Sequence, residues 1–205
     1  MPHALPVVSA SSSHLSRKKD LGRDCIVMQK EGARERITHA CLELLNTTSL
    51  ESLRAQDIMA KAGVSRSTFY RLFLDKYEVV NWVYQKQVEE IIRDMPDLKS
   101  WKEWTFIIHD YMREHKQFFR NIASYRGQNS FEEFLCNYFM GNVKRTSGHI
   151  IEKMTEEQQY AVYAFSLVGA HATVDWILNG FQPDDATLLR LLDACIPSCI
   201  RMLYE

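Results

Sequence analysis

Arg66, Ser67, Thr68, Tyr70 and Arg71 place five donor-bearing side chains within one short stretch that holds no acidic residue. Guanidinium forks and hydroxyls in that density suit the phosphates and base edges of a polyanion, whereas a solvated helix without a partner usually mixes in Glu or Asp. Other reactive groupings promise less. Ser16-x-x-Lys19 has the spacing of a nucleophile motif but lies in a Ser- and Pro-containing stretch that holds no geometry. His171 and Asp175 stand four apart on an apolar helical pattern; a metal site would need further ligands, and a hydrogen-bonded core histidine is the plainer reading. The sequence contains no Gly-x-Ser-x-Gly, P-loop, Gly-x-Gly-x-x-Gly or His-Glu-x-x-His. An enzyme is therefore not expected, and no cofactor or metal is implied.

Two short helical patterns position the donor stretch. Ile58 and Met59 give the apolar face of the first, and Phe69, Leu72 and Phe73 that of the second. They meet at Ala62-Gly63-Val64-Ser65, too short for a true loop. Gly63 falls where a helix ending in a left-handed turn needs a residue without Cβ, and Ser65 where the next helix needs an N-cap oxygen. This is a helix-turn-helix, whose second helix can lie in a DNA major groove. A preceding helix, Ala33 to Asn46, carries Ile37, Ala40, Cys41, Leu44 and Leu45 at helical spacing, and Leu50 plugs the small core from the connection. A long helix from Asp75 to Ile92 comes next, with Val79, Val80, Val83 and Ile91 on one face. It joins the two halves of the chain and is a natural lever.

The run from Ala62 to Lys76, with Asp57-Ile58 before it and Val79-Val80 after, resembles the DNA-binding domain of the TetR family of bacterial transcription regulators. The likeness covers residues 31 to 80 and rests on linked Gly-Val-Ser, Thr-x-Tyr-x-x-Phe and Asp-Lys elements. Two positions depart from the pattern. Arg54 stands where the family usually has a capping Thr, leaving Ser52 as a substitute cap, and Leu72 stands where a His is common. On a helix lying in a major groove, Arg66 and Ser67 are the candidates for base edges, with Arg54 and Gln56 reaching in from the preceding helix. Thr68, Tyr70 and Lys76 would hold phosphates, and Ser65 and Arg71 complete the expected contact set.

A hydrophobic content of 46% and a charged content of 25% over 205 residues fit a soluble globular protein with a sizeable core. No signal peptide or apolar run of membrane-span length is evident, which points to the cytoplasm and away from a membrane partner. The net charge of −1 hides an asymmetry: residues 1 to 77 hold 12 Lys/Arg against 8 Asp/Glu, and the remainder 13 against 18. A basic N-terminal part on an acidic body fits DNA contact at one end. The five cysteines, Cys25, Cys41, Cys136, Cys195 and Cys199, include no Cys-x-x-Cys and read as reduced, apolar side chains. Residues 1 to 30, with Pro2, Pro6, Ser9 to Ser13 and Arg17-Lys18-Lys19, read as a disordered basic tail.

Beyond Asp94-Met95-Pro96-Asp97 the pattern stays helical and turns aromatic. Trp101 to Asn121 reads as one helix and Ser130 to Gly141 as another, with Asn142 to Gly148 either extending it or turning. Thr155 to Gln158 is a capping box that opens a long apolar helix to Leu178. Pro183-Asp184-Asp185 starts a last helix to about Leu203, bent or interrupted at Pro197. The fold class is all-α: a three-helix helix-turn-helix domain (31 to 77) and a helical ligand-binding and dimerisation domain (78 to 205). The last two helices are apolar on more than one side, so they are expected to pair with their copies as a four-helix bundle. The resemblance likewise implies a homodimer on double-stranded, palindromic DNA. The phrase Gly169…Trp176…Asn179-Gly180 is similar to the C-terminal domain of a subgroup that includes dihydroxyacetone-kinase-operon regulators.

Trp104, His109, Tyr111, Phe118, Phe134, Tyr138, Phe165 and Trp176 fall on the helices that surround an inducer cavity in the resembled family. They are the candidate walls for a small-molecule effector, and the competing reading is that they fill the core. The expected function is a dimeric, ligand-responsive transcription regulator that represses. The alternative is a helical interaction or small-molecule-binding protein that has lost DNA binding.

Overall fold

The computed structural model describes residues 32–95, 100–147 and 153–204. The basic tail, Cys25 and the Ser16-x-x-Lys19 spacing lie outside them. Helix α1 (Ala33–Leu45) buries Ile37, Ala40, Cys41 and Leu45, as its spacing requires. Burial pushes the Cys41 thiol up to about 12, which makes it an inert apolar group. Leu50 and Leu53, in the connection after α1, close this small core at 1% and 2% exposure. Helices α2 (Ala55–Ala62) and α3 (Arg66–Leu72) lie across α1, with Ile58, Phe69 and Phe73 buried. Helix α4 (Lys76–Asp94) is capped by Asp75, whose carboxylate accepts the Glu78 N–H at 2.9 Å.

The second half is built from α5 (Trp101–Glu114), α6 (Lys116–Ala123), α7 (Phe131–Ser147), α8 (Glu156–Leu178), α9 (Asp185–Ala194) and a 3-10 helix (Ser198–Leu203). Among the described residues there is no strand. The single helix expected from Trp101 to Asn121 is two, because the chain breaks at His115 (φ −106°, ψ 34°). The break lets Phe118, Phe119, Ile122 and Ala123 all face the interior. Helix α7 runs on through Asn142 to Ser147, so the undecided segment extends the helix. The Thr155 box closes as expected: its hydroxyl accepts the Gln158 N–H at 3.2 Å, and Gln158 accepts the Thr155 N–H at 3.0 Å. Pro197 does more than bend the last helix. Its missing N–H and fixed φ end α9 at Ala194 and start a separate 3-10 turn. Cys195 and Cys199 therefore do not share a helix face.

One cluster of buried side chains runs without interruption from Ile37 in α1 through Tyr84, Phe119 and Phe131 to Trp176 and Leu192. Both halves thus share a core, with α6 packed directly on α1. A smaller cluster around Phe165, Ile196 and Ile200 closes the far end. Helix α8 is long and apolar enough to match a membrane span by length and composition, and half of that window is buried in the core. Its other side exposes Tyr160, Tyr163, Leu167 and Val168.

His171 is not the core histidine that its apolar neighbours predict. Its ring is 66% exposed and bonds the Glu132 carboxylate at 2.8 Å. Asp175 accepts from Asn179 instead, at 2.9 Å. No set of three or more potential metal ligands occurs among the described residues. Among the described residues the buried histidine is His109. Its Nδ1 lies 2.7 Å from Asp185 Oδ1, and its ring stacks on Trp176 at 4.2 Å.

Candidate nucleic-acid interface

The turn between α2 and α3 is fixed by its backbone. Gly63 sits at φ 61°, ψ 40°, the left-handed region that a Cβ disfavours. Its N–H donates to Ala60 O and the Val64 N–H to Met59 O, satisfying the last carbonyls of α2. Ser65 Oγ accepts the Thr68 N–H at 3.1 Å and pairs with the hydroxyls of Ser67 and Thr68 at 3.0 and 2.9 Å. That oxygen is occupied by capping α3, which limits Ser65 as an external ligand.

Two arginines of α1 hold the helix pair in place, a role that sequence reasoning missed. Arg36 Nε donates to Ala62 O, the last carbonyl of α2, at 3.2 Å. Arg34 Nη2 donates to Leu72 O, the last carbonyl of α3, at 3.1 Å. Each puts a cation at a negative helix end. The Arg34 guanidinium also lies over the rings of Phe73 and Trp82, at 4.8 and 4.4 Å. Only their position two apart in the first turn of α1 hints at this pairing, since the acceptors are 26 and 38 residues away.

The outer face of α3 is then free for a partner. Arg66, Ser67, Tyr70 and Arg71 are exposed and Thr68 is half-buried. Arg66 lies over the Tyr70 ring at 5.2 Å, which braces both side chains without using the guanidinium donors. Arg54 and Gln56 are exposed just before and within α2. Arg54 is the N-cap residue of α2, and Asp57 accepts its backbone N–H at 3.0 Å. A guanidinium has no acceptor to return the bond, so that cap is half made. Ser52 does not substitute, because it bonds Ser49 within the connection.

Lys76 is engaged differently from expectation. Its ammonium donates to Leu50 O and Leu53 O at 2.7 Å and to Glu51 O at 3.2 Å, which uses its three donors inside the chain. Burial lowers its pKa, with Glu51 and Asp75 opposing that shift. It clamps the α1–α2 connection to the start of α4, at the edge of a cleft of about 490 Å³ that Tyr70 also lines. Lys76→Met should accordingly lower stability by roughly 1–3 kcal/mol by stranding carbonyls, seen as a lower urea midpoint. The salt dependence of duplex binding should stay unchanged, whereas loss of a phosphate contact would reduce its slope by about one unit.

The aromatic set of the second half is divided among several packing contacts. Phe134 and Tyr138 pack edge-on against the fully buried Tyr84. His109 stacks on Trp176 and bonds Asp185, and Arg113 lies over the Trp176 ring and pairs with Asp185. Phe165 meets Tyr204 at 5.0 Å in the smaller cluster. Tyr111 touches Phe119 and His115, Phe118 is fully buried against Phe119, and Trp104 is half-buried. A surface groove of about 360 Å³ on this half is lined by Lys102, Glu103, Phe106, Ile107 and Leu189, and by none of these candidates. Core filling accounts for Phe118, Phe165, Trp176 and His109.

A family model described as bacterial regulatory proteins of the tetR family matches residues 37–82, and one described as a transcriptional regulator C-terminal region matches residues 99–197. The chain belongs to the TetR family. It is a DNA-binding transcription regulator with the all-α fold of that family, and its matches describe regulators rather than enzymes. Among TetR-family proteins, a curated relative is the HTH-type dhaKLM operon transcriptional activator DhaS of Lactococcus lactis. It is 27% identical over 86 residues, 42% of this chain and 46% of the relative, so the match spans about half of the relative's length. The solved structure of a dihydroxyacetone kinase operon activator DhaS superposes with a TM-score of 0.54 at 20% identity, covering 80% of this chain and 96% of the other. The fatty acid degradation regulator FadR from Bacillus halodurans gives 0.50 at 16% identity, over 82% and 97%. These likenesses establish the TetR fold across both halves of the chain.

Proposed function

We propose that this TetR-family chain is a ligand-responsive repressor that binds a palindromic operator as a homodimer in the cytoplasm. The observation that carries the reading is the exposed, acid-free face of α3, where Arg66, Ser67, Tyr70 and Arg71 project from a helix pinned at both ends. Residues 31–77 read the DNA, and residues 78–205 pair the chains and sense the effector. Arg66 and Ser67 address base edges, Arg54 and Gln56 assist from α2, and Thr68, Tyr70 and Arg71 address phosphates. The apolar strip of α8, together with the exposed Leu191 of α9, supports pairing through a four-helix bundle. Half-buried Trp104, Tyr111, Phe134 and Tyr138 are the candidates for contact with a small apolar effector.

Two reading heads on one face of a duplex sit about one helical turn apart, roughly 34 Å, or at a wider spacing when dimers overlap. An effector that changes this distance by a few ångströms releases the DNA. A second reading, activation from the bound operator, is favoured by the description of DhaS as an activator. The contact assignment is tested by Arg66→Ala. It should lose roughly 1–3 kcal/mol at one base pair of each half-site and relax the preference there, measured by competition with single-substitution duplexes. Uniform weakening across all sequences would instead make Arg66 a phosphate contact.

A further inference from the structure

Besides the covalent path through α4 and the core that both halves share, two side-chain ties join the helix-turn-helix to the rest of the chain. Asn121 of α6 reaches the end of α1: its Nδ2 donates to Leu45 O at 2.6 Å and Thr48 O at 3.3 Å. Tyr125, just beyond α6, reaches the start of α4. Its ring stacks on Tyr77 at 5.2 Å and 27°, and the Tyr77 hydroxyl donates to the Tyr125 hydroxyl at 3.0 Å.

Gly127 and Arg126 hold Tyr125 in that position. The tyrosine ring folds back over its own chain at Gly127, where an added Cβ would lie 2.2 Å from the Tyr125 hydroxyl oxygen and 2.5 Å from Cζ. Any other residue there would displace the ring from Tyr77. Arg126, between the two, pairs with Glu132 on α7, and Glu132 also holds His171 on α8. The platform under Tyr125 is thus anchored to the two helices that pack most extensively on each other.

Apolar packing of α6 on α1 holds the helix-turn-helix against the rest of the chain but is non-directional, so by itself it leaves freedom to slide and turn. Contacts at the end of α1 and the start of α4 remove it. Asn121, Tyr77 and Tyr125 are all half-buried, and the two tyrosines pack against the outside of the core rather than within it.

We propose that Asn121 and the Tyr77–Tyr125 pair, seated by Gly127, are positioning residues for operator spacing: they fix the angle of the reading head and so decide which half-site separation the dimer accepts. This rests on the dimeric reading above, and extends it from which bases are read to how far apart. The Tyr77 phenol is pushed up to about 12, first by its bond to Tyr125 and then by burial, so the pair stays intact at physiological pH.

The test uses the full chain, Tyr77→Phe, Tyr125→Phe, their double variant, Asn121→Ala and Gly127→Ala. Each is titrated with a duplex bearing one selected half-site, and with inverted repeats whose centre spacing is changed in single base-pair steps. The parent should disfavour a two-base-pair displacement by about tenfold or more, and the variants by about threefold or less. Half-site affinity should stay within about twofold of the parent for every variant, which a general loss of folding would not allow. The double variant should be no flatter than either single one, because the two hydroxyls share one bond. Variants that keep the parental spacing profile would overturn the proposal, as would variants that lose half-site affinity in step with full-site affinity. A parent with no spacing preference would overturn the dimeric reading, and this proposal with it.

Discussion

Asp185→Ala should destabilise the protein by about 3 kcal/mol, the largest loss expected from a single side chain outside the apolar core. Asp185 opens α9 and is almost fully buried, and its two oxygens accept from His109 Nδ1 and Arg113 Nη2. It also lies at the positive end of α9, next to the Asp184 cap. The Trp176 ring stacks on His109, lies under the Arg113 guanidinium and donates its own N–H to Pro183 O at 2.8 Å. One carboxylate therefore organises the junction of α5, α8 and α9. Removing it leaves the guanidinium only the exposed Asp110, 3.2 Å from Nη2, while its buried Nη1 already lacks a partner. The Arg113 side chain is 33% exposed, so water screens part of the loss and the low end of the buried-pair range applies. Asp185→Asn keeps an acceptor and should cost less than Asp185→Ala. Urea unfolding reads both. A change below about 0.5 kcal/mol for the alanine variant would mean that the network contributes little.

Under the proposed pairing through α8, Leu167→Glu should separate the two chains. Leu167 is 41% exposed in the middle of the strip formed by Tyr160, Tyr163 and Val168 on α8. In the proposed four-helix pairing a carboxylate there would be buried against the partner chain without a counter-charge. The folded monomer should lose no more than about 0.5 kcal/mol, because the site is on the surface of a single chain. Operator affinity should fall by roughly a hundredfold or more, toward that of one reading head on one half-site. Sedimentation velocity and duplex titration report the two effects separately. A variant that stays dimeric would place the interface on another face.

The reading head was legible in the sequence because its signals are local. Gly63 ends one helix and Ser65 begins the next, and each works through backbone geometry that its own type dictates. The Thr155 box is legible for the same reason. What failed to show was non-local. Lys76 finds its acceptors on carbonyls 23 to 26 residues earlier, and nothing in its immediate neighbours marks them. The His115 break carries no Gly or Pro and comes from how Phe118 and Phe119 both reach the interior. His171 left the core expected for it and His109 took a buried ion-pair partner, because each partner, Glu132 or Asp185, comes from another helix. The aromatic residues were correctly placed on helices, yet pattern alone cannot separate a cavity wall from a packed core. Pro197 was recognised as a disruption, but its extent depended on the 3-10 turn after it.

The claim on which the rest depends is that two copies of α3 read a common duplex through Arg66 and its neighbours. Repeated selection of bound sequences from a random duplex pool tests it directly, with the full chain and Arg66→Ala in parallel. The full chain should enrich one inverted repeat with a fixed centre spacing, and the variant should lose preference at one symmetric pair of positions within it. A pool that stays unenriched, or one that yields a single unrepeated motif, would contradict the account.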